Sequence, residues 1–178
     1  MKKREKYNYK NPAFESLRQP MRGVMRAYGE AERYFAVYKE TSWEQWGLKS
    51  LTDYIHALEH IQPEAVDEFK DILAEVGLPV EYPGIDEVIT AFENLDELFE
   101  SCVEIIDTTD DALRSFCTAI DTEHPELGAL ARGVEALLTK NSAERTFLLE
   151  AWSMWDNSDS VTSFDNWVEH HAPHFQRG

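Results

Sequence analysis

Apolar side chains recur every three or four residues over most of this chain, and this spacing is the feature that most restricts its fold. Within residues 14–38 the apolar residues that follow it are Phe14, Leu17, Met21, Val24, Met25, Tyr28, Ala31, Phe35 and Tyr38. Such spacing is one face of an α-helix. The chain shows no strand-like alternation of apolar and polar residues. The sequence therefore predicts an all-α protein.

Three more segments repeat the pattern and predict three more helices, at residues 48–75, 86–107 and 127–155. Pro63 lies inside the first of them. A proline in a helix interior removes a backbone hydrogen bond and costs about 3 kcal/mol, so we expect the second helix to be kinked or broken. Together the segments predict an all-α fold, a bundle of four main helices.

The helix boundaries are predicted from residues that favour turns and caps. Gly47 should separate the first two helices, Val76-Gly77 should end the second, and His124-Pro125 should precede the fourth. Thr108–Asp111 contains residues that favour helix N-termini. This segment predicts a break after which the apolar pattern of the third helix resumes.

At 178 residues the chain has the length of one domain. We divide it into a flexible basic arm (residues 1–12), a helical bundle (13–157) and a C-terminal tail (158–178) that could contain a short helix. No apolar run approaches the roughly 18–20 residues of a membrane span, so no membrane association is expected. Cys102 and Cys117 are interpreted as reduced core thiols of a cytoplasmic protein.

Charge is distributed unevenly along the chain. Residues 1–50 carry eleven Lys and Arg against six Glu, and residues 51–178 carry six bases against 28 acids, within a net charge of −17. An acidic body should repel DNA and attract basic surfaces, although adaptation to salt would produce the same excess. The arm could bind DNA phosphates, or it could be a solubilising terminus. Its candidate nucleic-acid-binding residues are Lys2, Lys3, Arg4, Lys6 and Lys10.

No decisive catalytic motif is present, and whether the chain is an enzyme stays open. Di-iron bundles need a Glu-x-x-His motif, and no Glu here is followed three residues later by His. The nearest arrangements are His56 with Glu59-His60 on the second helix, Glu100 with Glu104 on the third, Glu144 with Glu150 on the fourth, and Glu30 with Glu32 on the first. A solvated acidic face would explain most of these residues. The C-terminal His170-His171-x-x-His174 could bind a transition metal, or it could be a tail without one.

Three segments are arranged as in a known family. They lie before, at the start of and at the end of the predicted second helix, and they are Ser42-Trp43-Glu44-Gln45-Trp46-Gly47, Ser50-Leu51-Thr52, and Ala65 to Gly77. The pattern resembles the Dps group of the ferritin-like superfamily over roughly residues 30–85, and more loosely over 127–155. Asp67 and Asp71 match the two acidic ligand positions of that family. Its two histidines fall on Ser42 and Thr52, so the resemblance comes with a degraded metal site.

The resemblance implies a ferritin-like bundle, self-association, and iron handling or DNA protection. If a metal binds, the resemblance implies iron as the cofactor, with Asp67 and Asp71 as ligands. We add Glu100 or Glu104, from a neighbouring helix, as further candidate ligands. The resemblance also implies that the N-terminal arm could touch DNA.

The acidic body supports a second hypothesis of a different class. An acidic all-α binding protein could inhibit or neutralise a basic, nucleic-acid-binding partner by presenting carboxylates in place of phosphates. Exposed tryptophans would anchor such an interface. The candidates are Trp43, Trp46, Trp152, Trp155 and Trp167.

Overall fold

The computed structural model describes residues 12–88 and 91–174, and every regular element within these ranges is helical. The long helices are α1 (Pro12–Trp46), α2 (Lys49–Glu75), α3 (Leu95–Glu123) and α4 (Gly128–Asn157). A 3-10 turn at Pro125–Leu127 precedes α4, and a short helix, α5 (Val161–His171), follows it in the C-terminal tail. The prediction of an all-α protein is confirmed.

The long helices pack around two apolar clusters, one toward each end of the molecule. α1 lies against α2 and α3, and α4 also packs against α2 and α3. One cluster joins the end of α1, the starts of α2 and α3, and the end of α4, through residues such as Phe35, Tyr54, Phe99 and Leu148. The other joins the opposite ends of the same helices, through Leu17, Phe69, Phe116 and Val134. Therefore α2 and α3 run in one direction, and α1 and α4 run in the other.

Because α2 and α3 run in the same direction, the connector between them must travel the length of the helices. It runs along α1, where the Arg22 guanidinium donates to Glu81 at 2.6 Å and Arg33 donates to the carbonyl oxygen of Ile85 at 3.0 Å. Gly29 makes this crossing possible, since a Cβ there would lie 2.1 Å from Cδ1 of Ile85. The connector is therefore fixed to α1 by both charge and shape.

The third helix begins at Leu95 rather than at Asp86. The Asn94 side chain accepts a hydrogen bond from the backbone amide of Glu97 at 3.0 Å, which fixes the N-terminus by capping. Phe92, which we assigned to the apolar face of this helix, packs on the core from the connector instead. The predicted start is wrong because apolar residues of the connector, such as Val88 and Phe92, happened to share the helical spacing.

The predicted break at Thr108–Asp111 is also wrong, because α3 continues through it to Glu123. The Thr108 hydroxyl donates to the carbonyl oxygen of Glu104 at 2.8 Å, and Thr109 donates to that of Ile106 at 2.8 Å. These threonines satisfy their hydroxyls within the helix instead of capping a new one.

The second helix is continuous from Lys49 to Glu75, so a break at Pro63 is wrong. Its predicted end is confirmed at Gly77, which has a φ of 71°. The Leu78 amide donates to the carbonyl oxygen of Leu73 at 3.0 Å and closes the helix in the manner of a Schellman motif. The first turn also lies where predicted, at Gly47, with a φ of 65°.

The helix of the C-terminal tail, α5, packs on α2 and α4 through its buried Phe164 and Val168. Asp165 of this helix accepts hydrogen bonds from the backbone amides of Ser50 and Leu51, each at 3.1 Å. Leu48, which precedes α2, has an apolar side chain that cannot accept a hydrogen bond from the first amides of the helix. The tail therefore supplies the cap that the start of α2 lacks.

Candidate functional site

A layer of polar side chains lies inside the protein. Tyr28 of α1, Gln62 of α2, Thr109 of α3 and Glu144 of α4 are all buried. Asn141, also on α4, donates to the Thr109 hydroxyl at 3.1 Å. Each long helix thus contributes a polar residue to the interior, where buried polar groups require partners.

Glu144 is the only buried carboxylate in residues 12–88 and 91–174, with 7 % of its surface exposed. The Tyr54 hydroxyl donates to its Oε2 at 2.6 Å, and His174 Nε2 lies 2.5 Å from its Oε1. Burial and the carboxylate together raise the pKa of Tyr54 well above its usual value. This network connects α2, α4 and the segment that follows α5, and it accounts for both oxygens of the buried acid.

A cavity of about 200 Å³ lies beside this network, lined in part by Tyr28, Gln62, Asn141, Glu144 and His174. The buried Tyr28 hydroxyl has no hydrogen-bond partner at ordinary distance and angle. Burial raises its pKa well above the usual value, and the nearby Asn141 amide opposes that shift. Glu64, Glu68 and Lys140 also line this cavity, but Glu144 is the one buried carboxylate among the described residues, whereas a di-iron centre needs several that point inward.

The structure does not bring the four predicted metal ligands together. Asp67 and Asp71 are exposed on α2, and Asp67 pairs with Lys70 at 2.9 Å. Glu100 and Glu104 are exposed on α3, a helix that meets α2 across the apolar core, where Phe116 contacts Phe69. The predicted ligands therefore occupy two separate surfaces of the protein.

The two positions at which the Dps resemblance places histidines are in contact. The Ser42 and Thr52 hydroxyl oxygens are 2.6 Å apart, across the turn between α1 and α2. Ser42 is buried and also donates to the carbonyl oxygen of Lys39 at 2.9 Å. Neutral hydroxyls here support helix packing and offer no imidazole to a metal.

The C-terminal histidines are also separated. His170 and His171 lie on the exposed side of α5, near the backbone carbonyls of Asn166 and Trp167, whereas His174 turns inward to Glu144. The described residues contain one group of three potential metal ligands within 4.8 Å of one another, namely His56, Glu59 and His60 on α2.

Two other predicted surfaces can be located only in part. Lys2, Lys3, Arg4, Lys6 and Lys10 lie outside the described residues, and Pro12, which we assigned to the arm, is the first residue of α1. Of the five candidate tryptophans, Trp43 is 55 % exposed. The other four are partly buried and pack against the apolar core.

A feature that we did not recognise in the sequence is a long segment without basic residues. From Asp71 to Leu113 the chain contains thirteen Asp and Glu and no Lys or Arg. The structure puts Glu100, Glu104 and Asp111 on one exposed face of α3, since their spacings of four and seven residues return to the same side of a helix. None of these three forms an ion pair with another described residue. We call them the α3 acidic face.

A groove of about 380 Å³ between α1 and α3 borders this face. Glu30 from α1 and Glu104 from α3 line it, together with Tyr34 and Tyr38. Burial raises the pKa of Tyr38 well above its usual value, and Glu104 adds to the shift. Carboxylates beside aromatic rings are the groups that receive Lys and Arg side chains.

Comparison with known proteins gives no further assignment: no protein-family model matches the chain, and no curated protein matches it. None of the described helices combines the length and the apolar character needed to cross a bilayer.

Proposed function

We propose that this chain is an acidic binding protein that engages a basic partner through the α3 acidic face and the adjoining groove. The observation that carries the proposal is that Glu100, Glu104 and Asp111 are exposed on one helix face without a described ion-pair partner. Unpaired carboxylates on one surface are not needed for the stability of the fold. They produce a negative potential that steers a basic surface toward the helix.

The groove adds a means of holding the partner. Lys or Arg side chains that enter it would meet Glu30 and Glu104, and their cationic heads could lie against the ring of Tyr34. A row of carboxylates on a rigid helix can also imitate the phosphates of a nucleic acid. The partner class that fits is therefore a protein with a basic, nucleic-acid-binding surface.

A pair of charge-matched variants tests this proposal with a short oligo-arginine peptide as the probe. The α3 variant carries Glu100→Gln, Glu104→Gln and Asp111→Asn. The control variant removes the same number of charges from exposed positions of α2 through Asp67→Asn, Asp71→Asn and Glu75→Gln. We expect the α3 changes to weaken binding by about 1–2 kcal/mol, or roughly 5- to 30-fold in Kd.

Calorimetry at low and high salt would measure both variants. We expect binding of the unmodified protein to weaken as salt rises, because exposed charges are screened. Equal losses in the two variants would show that net charge alone attracts the peptide, and the α3 acidic face would lose its assigned role.

A second proposal concerns the scaffold and its possible iron chemistry. We propose that the chain is a ferritin-like, Dps-related protein whose metal site has been rebuilt. The support is that α2 and α3 run in the same direction with one long connector between them, a course found in ferritin-like bundles. The self-association, iron handling and DNA protection implied by the resemblance remain predictions.

Molar mass in solution and iron-dependent oxygen uptake test this second proposal. A large closed assembly that consumes oxygen with Fe²⁺ would support it. A monomer that consumes no oxygen would refute the ferritin-like function for this chain. The acidic-binding proposal would not be affected by that result.

A further inference from the structure

Three side chains on one side of α2 form a compact group that neither proposed function uses. His56, Glu59 and His60 are related by three and four residues, so they share one face of the helix. His56 and His60 are exposed, and Glu59 is partly buried against α1. The group can therefore be reached from solvent while its carboxylate is held by the fold.

The two imidazoles already have the spacing of ligands that share an ion. Nε2 of His56 and Nε2 of His60 are 3.1 Å apart, and the ring planes meet at 81°. Two nitrogens that bind tetrahedral zinc at about 2.0–2.1 Å lie about 3.3 Å from each other. A small adjustment of either side chain would admit a metal ion between these nitrogens.

Glu59 offers Nδ1 of His56 a hydrogen-bond acceptor, which favours the tautomer that metal binding uses. Its Oε2 lies 3.0 Å from Nδ1 of His56, and the same oxygen accepts from Nζ of Lys39 on α1. The ion pair with Lys39 holds this carboxylate in place from the neighbouring helix. A proton on Nδ1 of His56 leaves Nε2 free as a ligand, as in carboxylate–histidine–metal arrangements.

Lys39 is the cation that faces this group from the neighbouring helix, with Nζ 3.2 Å from Nδ1 of His56. Its charge is balanced by Glu59, with which it forms an ion pair. Both groups lie on the Nδ1 side of His56, away from the nitrogen that faces His60. The space between the two Nε2 atoms is therefore not occupied by the lysine.

We propose that His56 and His60 bind one divalent transition-metal ion of the zinc class, with Glu59 as the positioning residue for His56. Imidazole nitrogen suits zinc, copper and nickel, and water would complete the coordination because both rings face solvent. The site is independent of the acidic-binding function and differs from the carboxylate ligands that the Dps resemblance implies.

Titration of the full chain with Zn²⁺ by calorimetry tests the site. We expect one ion per chain, loss of saturable binding in His60→Ala, and a roughly 10- to 100-fold weaker Kd in Glu59→Ala. The matched control is the double variant His170→Ala, His171→Ala, which removes two exposed histidines from α5 and should bind zinc as the unmodified chain does. Circular dichroism would check that each variant keeps its helices.

Long-range ¹H–¹⁵N spectra of the histidine rings give a second readout. Zinc should shift the Nε2 resonances of His56 and His60, while Nδ1 of His56 stays protonated. Unchanged binding in His60→Ala, loss of binding in the α5 variant, or no binding by the unmodified chain would each overturn the proposal.

Discussion

The buried carboxylate of Glu144 gives the sharpest prediction about stability. In Glu144→Ala the Tyr54 hydroxyl loses its acceptor inside the protein, and His174 loses the group that it contacts. A buried polar group left unpaired costs about 1–3 kcal/mol, and the loss of a further hydrogen bond costs about 0.5–1.5 kcal/mol. Because His174 is partly exposed, its share is screened by solvent. We therefore expect a loss of about 3 kcal/mol in the free energy of unfolding.

A double-mutant cycle separates this network from the packing around it. Tyr54→Phe removes the hydroxyl and keeps the ring, which contacts Phe147 at a centroid distance of 4.6 Å. In the double variant with Glu144→Ala no unpaired hydroxyl remains, so the combined loss should fall short of the sum of the single losses by about 1–2 kcal/mol.

Urea unfolding followed by circular dichroism at neutral pH measures all three variants. The dependence of the unfolding free energy on urea should be unchanged, so that midpoints report stability alone. Additive losses, or a loss below about 0.5 kcal/mol in Glu144→Ala, would refute the view that this hydrogen bond stabilises the interior.

Three further predictions follow from other features. Burial raises the pKa of Tyr28, Tyr38 and Tyr54, so the folded state holds protons that the unfolded state releases above about pH 10. The contribution of these three tyrosines to stability should be constant below that pH and should fall above it by up to about 4 kcal/mol per pH unit, as unfolding at several pH values would show. Burial also raises the pKa of the Cys102 thiol, so a thiol reagent should modify it at neutral pH only after denaturant is added. Gly23 lies within α1 with open space around its missing Cβ, and Gly23→Ala should raise the free energy of unfolding by about 0.5–1 kcal/mol, whereas an unchanged or lower value would contradict this expectation.

The fold class and the first turns could be predicted because they depend on local pattern. The helical spacing from Phe14 to Tyr38 is sustained over many turns and therefore predicts a helix, and Gly47 and Gly77 have the positive φ that favours glycine. The start of α3 could not be predicted from periodicity, because it depends on one capping interaction of Asn94. The break predicted at Thr108–Asp111 was wrong because a threonine hydroxyl such as that of Thr109 can either cap a helix or bond to a carbonyl within one.

The candidate sites depended on which helices become neighbours, and one sequence does not contain that information directly. Asp67 and Glu100 looked like members of one site, but both side chains are exposed, whereas their helices face each other only through apolar core residues such as Phe69 and Phe116. The inward turn of His174 to Glu144 joins residues thirty positions apart on the chain. By contrast, the proximity of His56 and His60 follows from helical spacing alone, and the sequence had already singled them out.

The cap that Asp165 provides has a consequence for the order in which the protein can fold as it is synthesised. The backbone amide of Ser50 donates to the carboxylate of Asp165, which lies 115 residues further along the chain. At about 5–20 residues per second, the ribosome needs roughly 6–20 s to produce that residue. During this interval the first turn of α2 depends on water for its hydrogen bonds, and the hairpin of α1 and α2 exposes the apolar surface that α5 later covers. The start of α2 therefore gains its cap only after α5 has left the ribosome.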